Sequence, residues 1–218
     1  ARVRHMRRAA GADIVTLNGH DAHILLQVEL AAVGHLREPL RRRVLCPDRN
    51  VAIHGLVRKP LDVHLMIEHP NNHINLFLKN LRKGDTVYIH PEAEYHPSTT
   101  LQTIIDAGMV PGIAINPGTS VETVFEMLRI VKKVLVMSVN PGNAGQMYLP
   151  YVGKKITKLL ALKEDMDFEM YWDGACSAER ILEFAPKGMK GFVLGTTLLF
   201  GKDRPYGEIL RDIRDLRL

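Results

Sequence analysis

The sequence predicts one α/β domain over residues 1–218, a (β/α)8 barrel of parallel strands. Three observations carry that reading. From about Lys59 onward, short apolar segments alternate with amphipathic ones in six strand-then-helix units, each near the length of a parallel crossover. The apolar segments are bounded by Gly, Pro, Asn or Asp, as strands buried on both faces usually are. Polar residues recur at their C-terminal ends: His64, His90, Asn116, Asn140, Asp173 and Thr196. A barrel gathers all such ends around one mouth, whereas an open sheet has a single switch-point crevice. The barrel is favoured.

Residues 1–58 precede the first clear unit, room enough for the two more that an eight-fold barrel needs. Within them, Gly11 to Leu17 reads as a helix end running into a strand. Leu25–Val33 is apolar enough for helix or strand, and Asn50–His54 suits a short strand. No clean pair of units emerges there. The series then runs through strands at Leu61–Ile67, Thr86–Ile89, Gly112–Asn116, Val134–Val139, Phe168–Trp172 and Gly191–Leu194. Ser120 stands ahead of Val121, Val124, Phe125 and Leu128, with Glu122 in the first turn, so it reads as a helix N-cap. Ser177 stands in the same relation to the helix after Asp173. Tyr151–Leu162 turns Lys154, Lys155 and Lys158 outward and Ile156, Leu159 and Leu160 inward.

Composition narrows the class. An apolar fraction of 46% and a charged fraction of 24% are ordinary for a globular protein. No run is long enough to span a bilayer and no signal-peptide pattern occurs, which predicts a cytoplasmic protein without membrane partners. The two cysteines, Cys46 and Cys176, build neither a disulfide framework nor a zinc site. The net charge of +5 is concentrated early, at Arg2, Arg4, Arg7 and Arg8, then Arg37, Arg41, Arg42 and Arg43. No nucleic-acid recognition motif accompanies it, so nucleic acid is not expected; an anionic substrate uses that field better. A homo-oligomer is compatible with the pattern but not readable from it.

The chemistry is densest at three strand ends. Val134-Leu-Val-Met-Ser-Val-Asn-Pro-Gly-Asn-Ala-Gly-Gln146 passes from a β-branched run into Pro-Gly-x-x-Gly. Gly142 and Gly145 permit the tight turns and close backbone approach with which a loop's N–H groups hold an anion. Leu61-Asp-Val-His-Leu-Met66 offers a histidine, and Tyr171-Trp-Asp-Gly-Ala-Cys-Ser177 a carboxylate. Each feature has a plainer reading as well. His64 alone suits a satisfied core histidine, Asp173-Gly174 an ordinary turn, and Met66 and Met137 core filler. Their order along the chain favours a shared site.

These motifs, with Asn116-Pro-Gly-Thr119 and Gly195-Thr196 followed by Phe200-Gly201, resemble those of the ribulose-phosphate 3-epimerase family, over about residues 59–202. That resemblance implies a (β/α)8 barrel that inverts C3 of a ketose phosphate, interconverting ribulose 5-phosphate and xylulose 5-phosphate. It implies a divalent metal (zinc, iron, manganese or cobalt) held by two histidines and two aspartates, the aspartates also serving as acid and base. His64 matches one ligand histidine, and Asp173 one aspartate, both ligand and proton carrier. Gly142, Asn143, Ala144 and Gly145 match the phosphate cradle, completed by Gly174, Ala175, Gly195 and Thr196. Met66 and Met137, with His64, are expected to line the sugar. The chemistry agrees: a proton α to a carbonyl is best moved by two groups across the substrate, with an electrophile holding the enediolate charge.

Residues 1–58 match the family poorly. The expected His-x-Asp-x-Met-Asp-Gly strand is absent, and the nearest text is Thr16-Leu-Asn-Gly-His-Asp-Ala-His23. Three readings stay open there: a barrel that binds phosphosugars without catalysis, substitute ligands among His20, Asp21 and His23, or an altered sequence upstream of about residue 58. Asp13 and Asp21 are the candidates for a second acid. Asp173-Gly-Ala-Cys-Ser177, where pentose-phosphate members carry Asp-Gly-Gly, also resembles the branch acting on allulose 6-phosphate. His90 and Glu92 are expected to shape the mouth.

Overall fold

The computed structural model describes the backbone of residues 11–16 and 23–29 and, with side chains, residues 60–142 and 144–216. Its strands close into a barrel in chain order: β1 (Gly11–Thr16), β2 (His23–Glu29), β3 (Leu61–Met66), β4 (Thr86–Ile89), β5 (Val110–Ile115), β6 (Lys133–Met137), β7 (Glu169–Asp173) and β8 (Gly191–Leu194). Around it lie α1 (Ile74–Leu78), α2 (Pro97–Asp106), α3 (Val121–Val124), α4 (Val152–Leu162), α5 (Ala178–Phe184) and α6 (Tyr206–Arg214). No described helix is long and apolar enough to cross a membrane.

From β2 to β8 every neighbouring pair is parallel, as expected. β1 is the exception. It runs antiparallel to both β2 and β8. Only residues 17–22 separate it from β2, and a parallel return takes a dozen or more residues, so that connection suits an antiparallel pair. Leu25–Val33 thus contributes a strand through Glu29, while the strand expected at Asn50–His54 lies outside the described residues.

Alternation along the strands builds two apolar layers. On β3, Leu61, Val63 and Leu65 face the helices and join the large core between barrel and shell. Met66, Tyr88, Ala114, Leu135, Met137, Tyr171 and Val193 instead pack within the barrel. The interior is crowded enough that a Cβ on Gly112 would sit 2.5 Å from Tyr88 Cδ1, so glycine there makes room for the ring.

Deep in the same interior the strands carry charge that an apolar reading of them misses. Lys133 Nζ lies 3.1 Å from Asp62 Oδ1 and 5.1 Å from the Tyr171 ring centroid. The Tyr88 hydroxyl donates to Asp62 Oδ2 at 3.2 Å. Burial, and then the Asp62 charge, push the Tyr88 phenol well above its ordinary range.

The caps fall where the sequence puts them. Ser120 Oγ accepts from Thr123 N, and Ser177 Oγ from Arg180 N, each at 3.4 Å. On α4, Ile156 and Leu159 are buried and Leu160 is half-buried. Lys155 does not point outward. Its ammonium donates to Asn116 O at 2.6 Å and Pro117 O at 2.7 Å, tying α4 to the loop after β5, and burial lowers its pKa.

Candidate active site

The C-terminal ends of β6, β7 and β8 open into one cleft of about 630 Å³ of empty space, part of it open solvent. It collects most of the residues singled out from the sequence. Gly142, Ala144 and Gly145 form one wall, Gly174 and Ala175 a second, and Gly195 and Thr196 a third. Met66 and Met137, both nearly covered, form the apolar floor with Val193. Asn143 lies outside the described residues.

Backbone conformation explains the glycines. Gly142 and Gly145 have φ of 111° and 84°, while a Cβ on either would meet no atom within 4 Å. The left-handed backbone, not crowding, therefore calls for glycine there. Gly174 is constrained twice, by a φ of 97° and by Val139 Cγ2, which lies 2.5 Å from where its Cβ would stand. Ala175 takes a φ of 38°, a conformation an alanine adopts only when its surroundings impose it.

Asp173 closes β7 at the edge of the cleft, 5% exposed. Behind it stands His64, fully buried, with Nδ1 3.6 Å from Asp173 Oδ2. His64 does not line the cleft itself; it meets the cavity through Asp173. Its Nε2 is 2.8 Å from His90 Nε2, so one of the two nitrogens carries the shared proton. His90 Nδ1 lies 3.8 Å from Glu92 Oε2, and Glu92 Oε1 accepts from Asn116 N and Thr119 Oγ1. Burial, aided by His64, lowers the His90 pKa to about 3, so this imidazole is neutral at physiological pH. Among the described residues, neither His64 Nδ1 nor His90 Nδ1 has a hydrogen-bond partner.

The set thus runs carboxylate, imidazole, imidazole, carboxylate from the cleft toward the loop after β4. His90 and Glu92, expected only to shape the mouth, are coupled to His64. Ser138 and Trp172 were not singled out by sequence reasoning at all, yet both bond to the Gly174 carbonyl. The Ser in Met137-Ser-Val139 and the Trp before Asp173 were the available signals. Cys176 also borders the cleft, and burial followed by the Asp173 charge pushes its thiol far up.

For a divalent cation, His64 Nδ1 and Asp173 Oδ2 are a compatible pair of donors, one nitrogen and one oxygen facing each other. Among the described residues no group of three or more His, Cys, Asp or Glu is gathered to complete such a site. Register bears on the substitutes considered for residues 1–58. His23 starts β2 one residue before Ile24, the partner of Leu61, whereas Gln27 is the residue beside His64. That places His23 at the end of the barrel away from Asp173. His20 and Asp21 lie outside the described residues. Asp13 sits in β1 in register with Leu194, the last residue of β8 before Gly195.

A family model described as the ribulose-phosphate 3-epimerase family matches residues 45–199. A ribulose-phosphate 3-epimerase of Helicobacter pylori is 37% identical over 158 residues, 71% of this chain and 72% of its own length. One from Aquifex aeolicus is 35% identical over 200 residues, covering 88% of this chain and 80% of the relative. One from Methanocaldococcus jannaschii is 32% identical over 95% of this chain and 88% of its own. Among solved structures, a tryptophan synthase α-subunit from Pyrococcus furiosus superposes with a TM-score of 0.57 at 14% identity, covering 88% of this chain and 84% of that one. At that identity the likeness speaks for the barrel alone.

Proposed function

The chain belongs to the ribulose-phosphate 3-epimerase family, and from that premise we propose that it interconverts ribulose 5-phosphate and xylulose 5-phosphate by proton transfer at C3, in the cytoplasm. The observation that carries the proposal is that Asp173, with His64 behind it, lines one cleft together with three glycine-bearing loops. The phosphate binds at Gly142, Ala144, Gly145, Gly174–Ala175 and Gly195–Thr196, where backbone N–H groups suit a dianion and no lysine is needed. Met66 and Met137 hold the sugar chain against an apolar floor and keep water from the enediolate.

Asp173 takes the C3 proton on one face and returns it in the reverse reaction. A second acid must act on the opposite face, since inversion delivers the new proton from there. Asp13 and Asp21 are the residues to test for it. His64 and Asp173 would hold part of the coordination of a divalent metal, which, when bound, would supply positive charge for the developing oxyanion. His64 contributes by presenting Nδ1 toward Asp173 while His90 engages its Nε2.

The test is a coupled assay of ribulose 5-phosphate consumption by the purified protein, with metal content measured on the same sample. Turnover with bound metal supports the proposal. Sugar-phosphate binding without turnover would mean an inactive phosphosugar-binding barrel instead.

A further inference from the structure

We infer that Ser138 and Trp172 are positioning residues for the phosphate: together they clamp the Gly174 carbonyl against the barrel wall and so aim the Ala175 N–H into the cleft. The inference rests on the phosphate reading of that cleft and adds residues that never touch the ligand. Two donors meet on one oxygen. Ser138 Oγ donates to Gly174 O at 2.6 Å, and Trp172 Nε1 donates to the same atom at 2.7 Å. The Gly174–Ala175 peptide is trans, and in a planar trans peptide the C=O and N–H point in opposite directions. With the carbonyl drawn toward β6 and β7, the Ala175 N–H leaves from the other side of the peptide. Gly174 and Ala175 both border the cleft.

Both donors are rigidly mounted. Ser138 is fully buried, its own N donates to Asp173 O at 2.8 Å, and its carbonyl accepts from Leu149 N at 3.0 Å. The Trp172 ring, also fully buried, is held among Tyr148, Phe184 and Phe192, at centroid distances of 5.6, 5.2 and 6.4 Å. Neither side chain has room to swing toward water. The positive φ of Ala175 fits the same account. An alanine held there spends backbone strain on a fixed peptide orientation, which an anion site needs and a plain turn does not. Tyr148 and Leu149 lie three and four residues beyond Gly145, so the clamp also ties to the segment that continues the Gly142–Gly145 wall.

The experiment uses two single variants of the full chain, Ser138→Ala and Trp172→Phe, each removing one donor, with folding checked by far-UV circular dichroism. Inorganic phosphate is titrated calorimetrically, and KM and kcat are measured for ribulose 5-phosphate. Each folded variant is expected to raise the phosphate Kd and the KM by roughly 5- to 10-fold, the size of one well-placed hydrogen bond. kcat should fall by less than about threefold, because a phosphate contact is made alike in ground and transition states. Unchanged phosphate Kd and KM in either folded variant, with only the melting temperature lowered, would overturn the inference and leave these bonds a purely structural role. A wild-type protein that binds no phosphate would overturn the phosphate site itself, and the clamp with it.

Discussion

Asp62 and Asp173 are both buried carboxylates inside one barrel, and what faces each of them differs. Deep in the interior, Asp62 lies against the Lys133 ammonium and the Tyr88 hydroxyl, with Tyr171 covering the lysine. At the mouth, Asp173 meets His64 at 3.6 Å, beside the cleft that the glycine-bearing loops line. A full cation neutralises the first, while the second faces a group able to give or accept a proton or to share a metal. The contrast teaches where a buried charge holds the fold and where it is placed for chemistry.

Asp173→Asn is expected to have the largest effect. It keeps size and one metal-capable oxygen but removes the proposed proton carrier, so kcat should fall by about 10² to 10⁴ with the fold intact. A loss below tenfold would reduce Asp173 to a turn residue. Lys133→Ala sharpens the other half of the comparison. It strips the ammonium from a buried carboxylate, and urea unfolding should show a loss of about 3–5 kcal/mol. Replacing both partners, Lys133→Met with Asp62→Leu, should recover only part of that loss, because apolar packing replaces the ion pair but takes from the buried Tyr88 hydroxyl its Asp62 acceptor.

Gly145→Asp comes next. The substitution puts a negative charge and a side chain on a left-handed backbone in the wall proposed to hold the phosphate, and KM should rise by at least about tenfold. An unchanged KM would move the phosphate elsewhere. The smallest effect concerns Cys176. Its folded-state pKa is raised by burial and then by Asp173, so the thiol stays protonated through neutral pH. Native protein at pH 8 should resist iodoacetamide at Cys176 while unfolded protein reacts, read by peptide mapping to separate it from Cys46. By linkage, the raised pKa contributes stability that is fully present below the ordinary thiol pKa and is lost as pH rises above it.

Much of this was legible in the chain, for physical reasons. The parallel strands from β3 to β8 are short apolar runs ended by turn residues, and each lies within two residues of its expected bounds. The glycine turn after β6 was legible because left-handed turns leave a compositional mark at Gly142 and Gly145. The orientation of β1 was not, because nothing local in Gly11–Thr16 records which way its neighbours run; the shortness of 17–22 was the only hint. The inward charges Asp62 and Lys133 lay inside otherwise apolar runs, where a mean hydropathy hides them. Ser138 and Trp172 escaped for another reason. Their role lies in which carbonyl they reach, and that depends on two strands meeting in space.

The central claim is that Asp173 moves the C3 proton, and isotope exchange tests it most directly. Ribulose 5-phosphate is incubated in D2O with wild-type protein and with Asp173→Asn, and deuterium at C3 is followed by proton NMR. Wild type is expected to place deuterium at C3 of both epimers, while Asp173→Asn exchanges at least about 10²-fold more slowly. Exchange at equal rates in the two proteins, or none in a wild-type protein that binds the sugar phosphate, would contradict the claim.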